Sequence, residues 1–325
     1  MCAHHTDLGR DLLRRSHRNA SRTAARTVPA DHHRRRARRS LVRRRHQLKP
    51  APVPHSPRRF REHENTDRGR HILACHLARP ARLTHNSRRG PLVPEPHRRS
   101  TRRRTRRVTD AHTDVIAQHA AQSVTLRPWT LRNDLSRLVI DPERFPDERE
   151  QLNAVGRGAV YSRTCNGDVL RNADNATRDA LLDNYFHQYA AAMSDLVADR
   201  IVATGRAVII DVHSYPTLPS AYELHPYGQR PALCIGTDSR HTPRWLIEAA
   251  YAAFSPLEDI GTDTPFSGTY VPLDRYSADP RVYSVMIELR RDQYLTEKGE
   301  FVDIAAENLG AMLGRLVDAA DRGSR

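Results

Sequence analysis

From Val108 onward the apolar positions of the chain fall into regular periods; before it they do not. Leu181, Leu182, Tyr185, Tyr189, Met193, Leu196, Val197 and Ile201 recur at helical spacing. That spacing predicts a long amphipathic helix over Ala176–Thr204, stopped by Gly205. The β-branched run Ala207–Val212 reads as a buried strand, and Leu233–Gly236 and Tyr283–Leu289 as two more. Thr242–Phe254, with Pro243 near its first turn, and Phe301–Ala320 read as helices. Asp114–Ala121 reads as the end of a helix, and Leu138–Ile140 as a short strand or strand edge. Residues 142–175, rich in charge, Gly and Asn, read as a long loop region. Strands alternating with helices predict an α/β domain built on a central sheet.

Charge divides the chain at the same place. Its net charge is +15, with 53 Lys and Arg against 38 Asp and Glu. Residues 1–107 carry 31 of those bases and 7 of the acids, a net of +24; residues 108–325 carry 22 and 31, a net of −9. The first segment has no Trp or Tyr, a single Phe (Phe60), nine prolines and 12 of the 18 histidines. Such a composition buries too little apolar surface to offset ordering entropy, so residues 1–107 are expected to be disordered. Three readings stay open: a basic tail, an arm binding nucleic acid nonspecifically by counterion release, or a segment translated out of frame. Arginine and proline almost without lysine is what out-of-frame reading of GC-rich DNA produces. The segment lacks aromatics for base stacking and any finger or helix-turn-helix spacing, so nucleic acid is not an expected partner except nonspecifically through residues 1–107. Residues 108–325 are long enough for one sizeable core.

No window approaches 18 apolar residues, so no membrane partner is expected, and residues 1–30 lack the apolar stretch of a secretory signal. Cys2, Cys75, Cys165 and Cys234 have no CxxC spacing and imply neither a disulfide framework nor a cysteine metal site. A reducing cytoplasm fits.

Four clusters can carry chemistry. Asp211–Pro216 (DVHSYP) ends a buried strand, where α/β sheets bind ligands. His213 there is a candidate metal ligand that Asp211 could orient, or a buried hydrogen-bonded histidine. Glu288 follows the apolar run Val285–Ile287 and needs a metal, a catalytic role or an ion pair with Arg290 or Arg291. Asp110, His112 and Asp114 could reach one metal, or Thr109 or Asp110 could cap a helix. Arg137 and Arg144 bracket Leu138–Ile140 and could grip a substrate carboxylate, or pair with Asp141 or Glu143.

In order along the chain stand SRLVIDPERF, VGRGAVYSRTCNGDVLR, IIDVHSYP, LCIGTDSRHTP, PFSGTYVPLDRY and VMIELRRDQYL. Together, over roughly Val108 to Tyr294, they resemble the N-formylglutamate amidohydrolase family. IIDVHSYP, YELHPYG and IELRRD more distantly resemble active-site segments of the zinc carboxypeptidases. The resemblance implies a mixed central sheet flanked by helices on both faces. It implies metal-dependent hydrolysis of N-formyl-L-glutamate to L-glutamate and formate, a late step of histidine degradation, with zinc as the usual metal. It makes His213 a metal ligand, Glu288 the general base, and Tyr270 and Tyr276 assisting groups. Arg137, Arg144 and, more weakly, Arg171 are then candidates for the two substrate carboxylates. The family's early Pro-His-Ser-Gly motif is missing: Pro54-His55-Ser56 lacks the glycine and His85 lacks the flanking pattern. The domain 108–325 is therefore expected to lack its first strand and one ligand, leaving Asp110 and Asp114 beside His213. A site so depleted is expected to hold zinc poorly and to turn over slowly. A related N-acyl amino acid amidohydrolase, or a degenerate hydrolase with a basic nucleic-acid-binding arm, are the alternatives.

Overall fold

The structure, a computed structural model, describes residues 109–323 apart from 173, 221–222 and 224–226, together with the backbone of 61–62 and 71–76. The rest of 1–107, including His55 and His85, lies outside the described residues, and with it the expectation of disorder there.

All nine residues of the strand Ala207–Tyr215 are buried, because helices cover both of its faces. This strand, β4, pairs in parallel with Val282–Arg290 (β7) on one side and with His71–His76 (β2) on the other. Trp129–Asn133 (β3) lies parallel to β2 on its far side, and the two-residue strand Arg61–Glu62 (β1) runs antiparallel at that edge. Leu233–Gly236 (β5) pairs antiparallel with β7, and Ile260–Thr262 (β6) parallel with β5. The order β1-β3-β2-β4-β7-β5-β6 makes a seven-stranded mixed sheet.

Alternation along the strands divides the core in two. Val208, Ile210 and Val212 of β4, with Val285, Ile287 and Leu289 of β7, face three helices. These are α1 (Thr113–Ser123), α4 (Arg244–Ala253) and α5 (Asp303–Arg322). Ala207, Ile209 and Val282 face the other side, against Tyr189, Met193, Leu196, Val197 and Ile201 of α3 (His187–Thr204). The long helix predicted over Ala176–Thr204 is present as α2 (Asn175–Leu181), a π-turn at Leu182–Phe186, and α3. Asp174 caps it through Thr177 N, 2.8 Å away, and Gly205 ends it in the left-handed region at φ 81°.

Several elements differ from the sequence expectation. Leu138–Ile140 is a turn, not a strand, with Val139 N bonded to Ser136 O at 2.8 Å. The strand of that region is β3, whose alternation is blurred because only Leu131 and Asn133 of its five residues are buried. β6 also went unseen, being three residues long and half-buried. The sheet moreover takes in β1 and β2, which precede residue 108, where the sequence drew the start of the folded domain.

From β2 the chain passes through α1 to β3 on one side, then returns through α2 and α3 to β4 on the other. Between the carboxyl ends of β2 and β4 the strand order reverses. Such a reversal is where open α/β sheets hold their ligands.

Candidate active site

On the α3 side of β4 and β7 the apolar positions stop short of the carboxyl ends. Asp211 and His213 follow Ile209 on β4, and Glu288 follows Met286 on β7. The register sets His213 directly beside Glu288. All three are buried. Glu143 joins them from the loop after the Leu138–Ile140 turn. Its Oε2 lies 3.1 Å from His213 Nε2, and Asp211 Oδ1 lies 2.8 Å from the same nitrogen.

The other ring nitrogen meets a second pair. Arg137 Nη2 is 2.7 Å from His213 Nδ1 and 2.7 Å from Asp110 Oδ2, which is itself 3.5 Å from Nδ1. Asp110 Oδ1 accepts the Ser214 amide at 2.8 Å, fastening the segment before α1 to β4. Asp110 is therefore no helix cap. His112, at φ 63°, occupies that position without a capping side-chain bond, and its ring stacks on Phe301.

Charge in this buried group shifts its members. Burial pushes the Glu288 carboxyl up, and although His213 pulls it down, it settles at about 7. Among the described residues Glu288 Oε2 has no hydrogen-bond partner. The expected pairing with an arginine does not occur. Arg290 goes to Asp292 at 2.9 Å, and Arg291 to Ser214 Oγ at 3.2 Å and Thr109 O at 2.5 Å. Burial would lower the His213 pKa, but the carboxylates of Asp211, Asp110 and Glu143 outweigh it and hold it well above the usual value.

The remaining sequence candidates separate. Asp114, in the first turn of α1, points to Arg132 at 3.4 Å and stays out of the cluster. Tyr270 is buried beside it: its ring meets Tyr189 edge-on at 5.7 Å and its hydroxyl has no hydrogen-bond partner among the described residues. Burial first, then the Glu143 and Asp211 carboxylates, push its pKa up. Tyr276 instead donates to Asp238 Oδ2 at 3.1 Å and stacks on His241. Arg144 Nε is 3.6 Å from Asp141 Oδ2, and its guanidinium makes no hydrogen bond among the described residues. Arg171 donates to the carbonyls of Val139 and Leu138 and so ties down the 138–140 turn.

Glu143, Asp211 and His213 present ligand atoms all within 4.8 Å of one another. Zinc bonds of about 2.0–2.2 Å put tetrahedral ligands about 3.3–3.6 Å apart, so the 3.1 and 2.8 Å separations found here would open by a few tenths of an ångström around an ion. One nitrogen and two carboxylate oxygens are also a donor set that zinc accepts. The three residues thus fit a divalent ion; Asp110 and Asp114, the acidic ligands expected from the sequence, are not among them. Glu143 was visible only as a possible arginine partner, and Asp211 only as an orienting group.

A profile of the N-formylglutamate amidohydrolases matches residues 82–295. The chain belongs to the N-formylglutamate amidohydrolase family. The solved N-formylglutamate amidohydrolase from Ralstonia eutropha JMP134 superposes at TM-score 0.61 and 19% identity, over 81% of this chain and 98% of that one. A gene product of Agrobacterium tumefaciens superposes at TM-score 0.56 and 16% identity, over 81% and 96%. These likenesses are of fold. A search of curated proteins returned no significant match. The cluster at the carboxyl ends of β4 and β7 lies inside the segment that the family profile covers.

Proposed function

We propose that this amidohydrolase hydrolyses N-formyl-L-glutamate to L-glutamate and formate with a divalent metal, zinc by donor set, held by Glu143, Asp211 and His213. The observation that carries the reading is the convergence of those three groups beside Glu288, whose Oε2 has no hydrogen-bond partner among the described residues. The metal would supply Lewis-acid polarisation and acidify water to a pKa of about 7. Glu288, beside His213 in the sheet register, takes a proton from the attacking water and hands it to the leaving amine. The C–N bond of the formamide breaks, the water oxygen goes to the formyl carbon, and glutamate leaves with its amine protonated. Tyr270, whose buried hydroxyl has no hydrogen-bond partner among the described residues, donates to the oxyanion that forms.

Arg144 has guanidinium donors to spare for a substrate carboxylate. Arg137 reaches the site as the partner of Asp110 and His213, while its Nε faces Asp141 Oδ2 at 3.9 Å. Three ligands rather than two argue for stoichiometric zinc, against the poor retention inferred from the missing Pro-His-Ser-Gly motif. We place the reaction in histidine degradation and in the cytoplasm. The buried free thiols of Cys165 and Cys234 suit the cytoplasm, and no helix among the described residues is long and apolar enough to cross a membrane.

Formate release tests the substrate. N-formylglutamate should turn over well above N-formylaspartate and N-acetylglutamate. Dialysis against a chelator should abolish release, and one equivalent of zinc should restore it. Preference for either analogue would instead support a related N-acyl amino acid amidohydrolase, and full activity after chelation would remove the metal.

A further inference from the structure

Glu143 comes from a loop, yet one of its two oxygens must face His213 steadily if it is to bind a metal. The terminal torsion of a glutamate is broad, so packing alone does not choose that oxygen. Tyr189 does choose: its hydroxyl donates to Glu143 Oε1 at 2.7 Å, leaving Oε2 turned to His213 Nε2 at 3.1 Å. Tyr189 is itself fixed. It is fully buried, stands on the third residue of α3, and packs edge-on against Tyr270. At the π-turn just before it Leu182 and Phe186 pack with Ala159 and with Ile140, three residues before Glu143, while Tyr189 begins the stripe against the sheet. Single π-turns inside helices often mark functional positions.

We infer that Tyr189 is a positioning residue, presenting one oxygen of Glu143 to the metal by holding the other; this rests on the metal-site reading above. Groups that orient metal ligands typically cost about 10- to 100-fold in metal affinity when removed.

The test uses the full chain and Tyr189→Phe, which keeps the ring and removes only the hydroxyl. Zinc dissociation constants, read by competition with a chromophoric chelator, should rise about 10- to 100-fold in Tyr189→Phe. In a Glu143→Gln background the same substitution should add less than about two-fold, because the two residues act as one unit. A structural role alone would weaken both backgrounds equally. Zinc affinity of Tyr189→Phe within two-fold of the parent, where His213→Ala has lost zinc, overturns the inference and leaves the metal site standing. If His213→Ala binds zinc as tightly as the parent, the metal-site reading fails and the inference falls with it.

Discussion

Glu288 sits where burial, not a partner, governs its charge. Its carboxyl titrates at about 7 in the folded chain against 4.5 ordinarily. Between those values the folded state keeps a proton that the unfolded state has lost. The stabilisation is complete below pH 4.5 and disappears as pH rises through 7. For the metal-free protein this amounts to about 3 kcal/mol. Glu288→Gln should flatten that part of the stability curve, as read by denaturant titrations at pH 4.5 and 8. The same substitution should lower formate release about 10²- to 10⁴-fold while zinc stays bound. Asp114→Ala, by contrast, loses only a half-buried contact to Arg132. It should cost under about 1 kcal/mol and leave zinc affinity intact. His213 and Glu288 stand out as candidates because each ends an apolar strand, but each also has an ordinary reading, a buried histidine or an ion pair with Arg290 or Arg291, and only the family resemblance favours the site. Asp114 was misread because spacing along a helix start shows proximity in sequence, not direction. The roles proposed for Glu143 and Tyr189 had no signal in the sequence, where one reads as an ion-pair partner and the other as a core residue.

Helices were read from their stripes, but their distances of approach were not. α5 runs against α1 through Gly310 and Gly314. A Cβ on Gly310 would lie 2.4 Å from His119 Cβ and 3.1 Å from Ile116 O; one on Gly314 would lie 2.4 Å from Ser123 Oγ. The His119 Cβ and the Ile116 carbonyl cannot swing away, so the helices themselves would have to part. Overpacking of this kind costs about 1–3 kcal/mol, against a gain of about 1 kcal/mol in helix propensity from glycine to alanine. Gly310→Ala should therefore lower the thermal midpoint by a few degrees with activity per folded molecule unchanged. A midpoint equal to or above the parent's would mean that α1 and α5 separate freely. Strands were legible where both faces are buried, as in β4 and β7. β3 was not, because an alternation with only Leu131 and Asn133 buried among Trp129, Thr130 and Arg132 is too weak to separate from a loop. Leu138–Ile140 misled for the opposite reason, being apolar enough for a strand while its backbone bonds close a turn.

For the whole molecule, the division by charge and the division by sheet do not coincide. The net +24 of residues 1–107 argues for a boundary at Val108, and so for a folded unit without its first strand. β2 argues for an earlier one. Its backbone pairs with β3 on one side and β4 on the other, so it is the strand that joins β3 to the rest of the sheet. Residues 56–325 also cluster as one compact unit. Two truncations separate these boundaries. Removal of residues 1–55 takes none of the seven strands, and should leave zinc content, formate release and the unfolding transition as they are. Any salt-sensitive affinity for nucleic acid should fall with the arginines removed. Removal of residues 1–107 also takes β1 and β2. It strips β3 of both neighbours and exposes the inner edge of β4, whose buried backbone groups then lack partners. That product should give no cooperative unfolding and no formate release. If residues 108–325 instead fold and turn over at the parent rate, β2 is dispensable and the boundary drawn from charge is the right one. Translating the upstream DNA in all three frames would then show whether a Pro-His-Ser-Gly strand is encoded out of frame, and restoring it should tighten zinc binding.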